Sequence, residues 1–289
     1  MKKIRIIGVP EHFNFPWIQT VEKQALKDKG FELVWRDESK GSGAMNKALR
    51  DGEADIAILL TESFIKDKLE GNPGKIIGYH VLSPLTWGIH VPAKAPVNSI
   101  EELQNAPFLI SRFGSGSHLM AFLLAQKNNW SLKDLKFEIV GNMEGAQAAF
   151  QDQQAKAFLW EKFTTKPLVD QGLFKRVGEI PTPWPCFVMV AHENILKDYP
   201  EAIKALQDHL YSCSKELSQE PNLASMISQA YGIQEEDIQA WLKQTQWATN
   251  SQIEKSTLEK TMDILFDLDL ITSKVKAENL VDSDFARLV

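Results

Sequence analysis

Residues that suit an anion site are grouped in one short segment of the sequence, at Arg112, Gly114, Ser115, Gly116, Ser117 and His118. The glycines permit a close backbone approach, and either serine can cap the helix that the following apolar residues predict. Free N–H groups at such a helix start bind sulfonate, phosphate or carboxylate, and the arginine adds a charge-assisted contact. An ordinary serine-capped helix preceded by a flexible loop has the same pattern. The segment lacks the Lys-Ser/Thr pair of a P-loop and the third glycine of a dinucleotide motif, so we do not predict nucleotide hydrolysis.

The loop PEHFNFPWI, residues 10–18, places titratable and aromatic side chains directly after the first predicted strand. His12, next to Glu11, can donate or accept a proton, and the rings of Phe13 and Trp17 can wall a planar or apolar ligand. The alternative is a surface loop whose aromatic side chains fill the core. The sequence of the loop is compatible with both interpretations.

Two acids end predicted buried strands. Glu62 follows Thr61 in LLTES, and Glu161 follows Trp160 in FLWEK. Either carboxylate can reach a ligand amine, pair with an arginine or histidine across a cleft, or act as a general acid or base. Either can equally supply the negative charge that stabilises the start of the next helix.

Trp87, Asn142 and Trp184 complete the ligand-binding candidates. The two tryptophans lie near the positions where the chain is predicted to cross between two lobes, so they line a cleft or pack a hinge. Asn142 begins the predicted helix 142–152. The sequence has no Gly-x-Ser-x-Gly motif and no histidine, cysteine or aspartate spacing typical of a metal site, so we predict no bound metal.

The elements that position these residues alternate between strand-like and helix-like segments, which predicts β-α-β units with parallel strands. The first series has strands at 4–9, 31–35 and 54–60 and helices at 15–30 and 44–52. The second has strands at 107–112, 136–141 and 156–161 and helices at 117–129 and 142–152. After 187–196 the helical segments are 199–219, 221–231, 234–245 and 252–268. Two similar open sheets whose strand carboxyl ends face one another would form a ligand cleft.

Composition excludes several classes of protein. The chain of 289 residues has 32 Lys+Arg against 38 Asp+Glu, a net charge of −6, which argues against a nucleic-acid binder or an anionic-membrane binder. Two cysteines cannot form a disulfide framework. No apolar run approaches the roughly 18 residues of a membrane helix, and no signal-peptide apolar stretch follows the basic start. We therefore expect no membrane insertion, and a cytoplasmic location as written, periplasmic only if a signal was trimmed.

The order and spacing of GVPEHFNFPW, GEADIAILLTE and SRFGSGSHLMAFLL, together with the helical tail, resemble type II periplasmic binding proteins. The most similar branch contains aliphatic-sulfonate, nitrate and taurine binding proteins and the thiamine-pyrimidine synthases. Within it, the chain is most similar to signal-less members whose ligand is unsettled. The resemblance implies that the helix start at 114–117 holds the anionic group of a ligand.

The resemblance also implies an α/β fold of two lobes, each an open, mostly parallel sheet flanked by helices. Lobe 1 would comprise 1–85 and 188–289, with the C-terminal helices packed on it, and lobe 2 would comprise 86–187. The crossings would lie near 82–88 and 186–190, and the cleft would close on its ligand by a hinge motion.

Three functions follow from these observations. The first is a binding protein for an anionic or aromatic organic ligand, similar to ABC-transporter substrate-binding proteins, without a cofactor and with a permease partner left open. The second is an enzyme related to the thiamine-pyrimidine synthases, with His12 and either Glu62 or Glu161 as acid and base. That family uses a lysine-bound pyridoxal phosphate, whereas no lysine lies between Lys3 and Lys23 here and Cys186 stands alone. The third is a ligand-sensing module that docks another protein through its helical tail.

Overall fold

The computed structural model describes residues 1–289 and consists of two compact units. Unit 1 comprises Met1–Ser83 and Trp184–Val289, and unit 2 comprises Pro84–Pro183. The chain therefore leaves unit 1 after residue 83 and returns to it at residue 184, whereas the boundaries expected from the family resemblance are 85/86 and 187/188. The C-terminal helices belong to unit 1. No helix is both long enough and apolar enough to cross a membrane.

The strands and helices follow the alternation that the sequence predicts. The strands are β1 (Lys2–Gly8), β2 (Phe31–Asp37), β3 (Ile56–Leu60), β4 (Lys75–Val81), β5 (Thr86–Pro92), β6 (Phe108–Ile110), β7 (Phe137–Ile139), β8 (Ala157–Glu161), β9 (Phe174–Pro181), β10 (Phe187–Ala191), β11 (Gln252–Ile253) and β12 (Arg287–Leu288). The helices are α1 (Phe15–Glu22), α2 (Ser42–Arg50), α3 (Thr61–Leu69), α4 (Gly116–Lys127), α5 (Met143–Ala149), α6 (Lys166–Asp170), α7 (Glu193–Asp198), α8 (Pro200–Leu217), α9 (Leu223–Tyr231), α10 (Glu235–Leu242) and α11 (Lys255–Asp267).

The sheet of unit 1 has the strand order β2-β1-β3-β10-β4. Strand β1 is parallel to β2 and β3, whereas β10 is antiparallel to β3 and β4. Phe187 at the start of β10 pairs with Leu60 at the end of β3, so both residues lie at the sheet edge where β1 and β3 end. Residues Ile56 to Leu59 are fully buried, because helices cover both faces of a sheet with parallel strands.

The sheet of unit 2 has the order β7-β6-β8-β5-β9. Strand β6 is parallel to β7 and β8, and β5 is antiparallel to β8 and β9. The predicted α/β fold is confirmed: four of the five strands in each sheet run in the same direction, and each sheet is mixed. The reason is that in each unit one strand, β10 or β5, runs antiparallel to both of its neighbours.

Candidate functional site

The glycine–serine turn of unit 2, residues 111–118, connects the end of β6 to the start of α4. Ser115 is the N-cap of α4, and its Oγ accepts a hydrogen bond from the N–H of His118 at 3.4 Å. The Oγ of Ser117 accepts from the N–H of Ser111 at 3.1 Å and lies 3.0 Å from the Oγ of Ser115. Gly114 has a φ of +74°, in the left-handed region that favours glycine. Side chains of the turn therefore bind its own backbone and hold its shape.

The same turn leaves backbone donors available. The N–H groups of Gly116 and Ser117, at the first two positions of α4, donate no hydrogen bond within the chain. Free donors at a helix start, where the helix dipole is positive, favour an anion. Arg112 lies in the same turn, and its carbonyl accepts from the N–H of Ser115 at 3.2 Å. The structure thus groups all six residues of the predicted anion segment in one turn.

Glu161 is held by the backbone that follows it. Its Oε2 accepts from the N–H of Phe163 at 2.9 Å and from the N–H and Oγ1 of Thr164 at 2.6 and 2.8 Å. Burial raises the pKa of Glu161 to about 6, and the bonds from Thr164 and Phe163 oppose that rise. The carboxylate therefore caps the turn after β8, which is the structural alternative considered for this acid.

The remaining candidates of unit 2 lie at the edge where β6 and β8 end. Trp87 pairs with Glu161 across β5 and β8, and its ring contacts that of half-buried Trp160, with centroids 6.5 Å apart. Asn142 is exposed and caps α5, where its Oδ1 accepts from the N–H of Gly145 at 3.0 Å. Asn142 thus has a structural role in the fold of unit 2.

In unit 1 the first loop is anchored through one carbonyl. The oxygen of Phe13 accepts from Nε2 of His80 and from Nε1 of Trp247, both at 2.8 Å. His12 packs against Trp241, with ring centroids 4.4 Å apart, and its Nε2 has no hydrogen-bond partner. Burial lowers the pKa of His12 to about 3, so the ring is neutral at physiological pH. Glu11 lies in the same loop and is partly exposed.

Glu62 lies at the start of α3 and is buried together with Trp184. Its Oε2 accepts from Nε1 of Trp184 at 2.8 Å, while its Oε1 has no partner. Burial raises the pKa of Glu62 to about 7, and the bond from Trp184 opposes that rise. The neighbouring Thr61 donates its Oγ1 to the carbonyl of Pro185 at 2.6 Å, and its N–H to that of Cys186 at 3.0 Å. Segment 184–186 is therefore fixed to the start of α3.

These two groups of unit 1 meet at one sheet edge, because the ring of Phe13 lies 5.2 Å from that of Phe187, which directly follows segment 184–186. Trp17 belongs to neither of these two groups. It is 1% exposed, on the helix α1 that packs against α8, and its ring contacts that of His80 at 6.5 Å. Trp17 is thus a core residue, which is the alternative that the sequence left open for the aromatic side chains.

Sequence reasoning missed five residues in and around the first loop, namely Asn14, His80, Tyr231, Trp241 and Trp247. Four of them are distant from the loop in sequence, and only tertiary packing brings them to it. Only two of the eight tryptophans, Trp241 and Trp247, lie in the C-terminal helical region, so no local signal marked them. No group of three or more His, Cys, Asp or Glu side chains is arranged to hold a metal ion.

We expect Trp184→Phe to destabilise the fold by about 1 to 3 kcal/mol, since it removes the hydrogen bond to the buried carboxyl of Glu62. The pKa of Glu62 should rise further, because the bond from Trp184 favours the charged form. Urea unfolding at several pH values measures both effects. Trp87→Phe is the matched control, because the buried Nε1 of Trp87 has no partner. Equal losses in the two variants would contradict the prediction.

Comparison with known proteins supports the fold. Residues 87–180 match the family model described as Ca3427-like PBP, where PBP denotes periplasmic binding protein. Among solved structures, the chain is similar to the Candida albicans CA3427 gene product, at 23% identity and a TM-score of 0.89, over 100% of this chain and 99% of that one. The CA3427 product defines a family of proteins that exhibit the generic periplasmic binding protein fold.

Two sulfonate-binding proteins are similar in structure at lower identity. The alkanesulfonate-binding protein SsuA of Xanthomonas axonopodis pv. citri, bound to MOPS, has 12% identity and a TM-score of 0.79, over 100% and 99% of the two chains. The aliphatic sulphonate binding protein SsuA of Escherichia coli has 15% identity and a TM-score of 0.75, over 99% of each chain. No curated protein matches the chain. The predicted resemblance is confirmed: the whole chain has the periplasmic-binding-protein fold, and most of unit 2 matches the Ca3427-like PBP family.

Proposed function

We propose that this chain is a binding protein for a small organic anion, and that the glycine–serine turn of unit 2 holds the anionic group. The observation that carries the proposal is the pair of unpartnered N–H groups of Gly116 and Ser117, at the start of a helix and beside Arg112. Backbone donors bind sulfonate and carboxylate oxygens without needing a charged lysine. The sulfonate-binding proteins of similar fold support the same ligand class.

In this proposal, aromatic side chains contact the body of the ligand. Trp87 and Trp160 lie at the edge of unit 2 that also carries the turn. Ligands of open α/β sheets bind at the carboxyl ends of the strands, where these residues are found. The proposed activity needs no cofactor.

One observation supports an enzymatic function as the alternative. Glu62 combines a pKa near 7 with an unpartnered Oε1, which suits a general acid or base. Its predicted partners are less suited, because His12 is held neutral and Glu161 caps a turn. Pyridoxal phosphate would also require a lysine, and residues 4–22 contain none. Turnover of a bound compound by the wild type, lost in Glu62→Gln, would favour this alternative.

The first experiment is a thermal-shift screen with sulfonates, nitrate, aminopyrimidines, pyridoxal phosphate, and aromatic and dicarboxylic acids. A ligand at 100 times its Kd adds about 2.7 kcal/mol to the free energy of unfolding, a shift of several degrees. A clear class of organic anions among the hits would support the proposal. A flat response, after refolding to remove any retained ligand, would contradict it and favour the protein-docking function of the helical tail.

We expect Arg112→Ala to weaken binding of the best anionic hit by about 10-fold or more, because a hydrogen bond between charged groups contributes about 1.5 to 3 kcal/mol. Ser115→Ala removes the N-cap of α4 and should weaken binding as well. Isothermal titration calorimetry measures both, and urea unfolding checks the fold. Arg176→Ala and Ser131→Ala are matched controls, since Arg176 pairs with Glu179 and Ser131 makes no capping bond. Unchanged affinity in both site variants would refute the site assignment.

A further inference from the structure

The histidine of the glycine–serine turn is hydrogen-bonded to the turn itself. The backbone N–H of Gly114 donates to Nδ1 of His118 at 3.0 Å. A ring nitrogen that accepts this N–H carries no proton, so the imidazole is neutral with its proton on Nε2. The bond also restrains Gly114, the residue of the turn that has a left-handed backbone.

Aromatic packing orients the ring that makes this bond. The His118 ring meets those of Phe113, Phe122 and Phe137 edge-on, with centroids 5.3, 4.7 and 4.6 Å away. Edge-to-face contacts of this kind favour one ring orientation. In the orientation observed, Nδ1 lies within hydrogen-bond distance of the N–H of Gly114.

We propose that His118 is a positioning residue of the anion site and acts through Gly114. The inference rests on the proposed function. The hydrogen bond from the N–H of Gly114 to Nδ1 of His118 links the beginning of the turn to the first turn of α4. The hydrogen bond from the residue after β6 to the Oγ of Ser117 links the end of that strand to the same helix turn. When both hydrogen bonds are formed, the N–H groups of Gly116 and Ser117 point in fixed directions and have no partner within the chain. This role differs from the direct ligand contact that the sequence predicts for His118.

Two substitutions separate the roles that this side chain could have. His118→Asn keeps an acceptor at the position of Nδ1 and removes both the Nε2–H and most of the ring. His118→Phe keeps a ring among the three phenylalanines and removes both nitrogens. A positioning role therefore requires that Asn preserve affinity and Phe lose it. A direct contact through Nε2 would be lost in both, and a packing role would be lost only in Asn.

The test is calorimetric titration with methanesulfonate and hydrogen exchange of the Gly114 amide, in the full chain. We expect His118→Phe to bind about 3- to 10-fold more weakly, as the net contribution of one hydrogen bond implies, and its Gly114 amide to exchange faster. His118→Asn should stay within about 2-fold of the wild type in both measurements. The matched control is His192→Phe, because Nδ1 of His192 accepts the N–H of Asn194 at 3.1 Å, at the start of α7 in unit 1.

The outcomes distinguish this inference from the proposed function. Equal loss of affinity in both His118 variants, or loss only in His118→Asn, overturns the positioning role and leaves the anion site intact. Unchanged Gly114 exchange in His118→Phe also overturns it, whether or not a ligand is present. A wild type that binds no methanesulfonate or other organic anion refutes the proposed function, and the positioning role for that site with it.

Discussion

Between pH 6.5 and about 4 the folded chain should lose roughly 3 kcal/mol of stability for each of its deeply buried histidines, as 2.5 pKa units imply. Burial lowers the pKa of His80 and of His90 to about 4, and that of His12 to about 3. The unfolded chain takes up protons near pH 6.5, whereas the folded chain does not until these lower values. The stability contributed by these neutral histidines is therefore complete above pH 6.5 and is lost as the pH falls towards their lower pKa values.

Buried acids act in the opposite direction and more weakly in sum. The pKa of Glu62 is raised to about 7 and that of Glu161 to about 6, so the folded chain keeps protons that the unfolded chain loses near pH 4.5. These two groups reduce stability as the pH rises from 4.5 to 7, by roughly 3 and 2 kcal/mol. Three histidines outweigh two acids, so the net effect of acid is destabilisation.

The variant that tests this most directly is His80→Gln. Glutamine can still donate an amide N–H to the carbonyl of Phe13, the bond that His80 makes at 2.8 Å. Stability at pH 7.5 should therefore change little, and the slope of the free energy of unfolding between pH 6.5 and 4 should fall by about 1.4 kcal/mol per pH unit, the contribution of one proton. Urea titrations across this range measure the slope. The control is His209→Gln, a partly exposed histidine on α8, and an equal change of slope there would contradict the prediction.

Gly145→Ala should destabilise unit 2 by roughly 3 kcal/mol, at the upper end of overpacking effects. A Cβ on Gly145 would lie 1.9 Å from the carbonyl oxygen of Val140 and 2.9 Å from its carbonyl carbon. This neighbour is backbone, and it cannot move freely because the N–H of Val140 is bonded to the carbonyl of Ile110 at 2.8 Å. A shift there would disturb the end of β6, directly before the glycine–serine turn, so anion affinity should fall as well.

Gly141→Ala is the matched control for this prediction. Gly141 has a φ of +81° but open space around it, so alanine there costs only the left-handed backbone, about 1 to 2 kcal/mol. Urea unfolding of the two variants separates a steric clash from backbone strain. A Gly145→Ala variant that is as stable as Gly141→Ala would show that α5 can move away from Val140 and would contradict the prediction.

The sequence alone determined the elements whose signals are local. Short apolar runs predicted the strands and period-3.6 apolar patterns predicted the helices of both units, because both signals depend only on residues that are close in sequence. The turn at 111–118 was also predictable, since glycine and serine favour a tight turn and a helix cap within a few residues of one another. The resemblance to periplasmic binding proteins depended on the order of these same segments.

Tertiary structure decided the rest, because it depends on partners distant along the chain. The antiparallel direction of β5 and β10 follows from pairing with strands of the same unit that lie up to about 130 residues away in sequence, for instance Phe187 with Leu60. The same holds for the hydrogen bonds from His80 and Trp247 to the carbonyl of Phe13. It also holds for the burial of Glu62 beside Trp184, because this burial raises the pKa of Glu62. A carboxylate or imidazole has the same formula when exposed or buried, and only folding determines which environment it meets and so which protonation state it keeps.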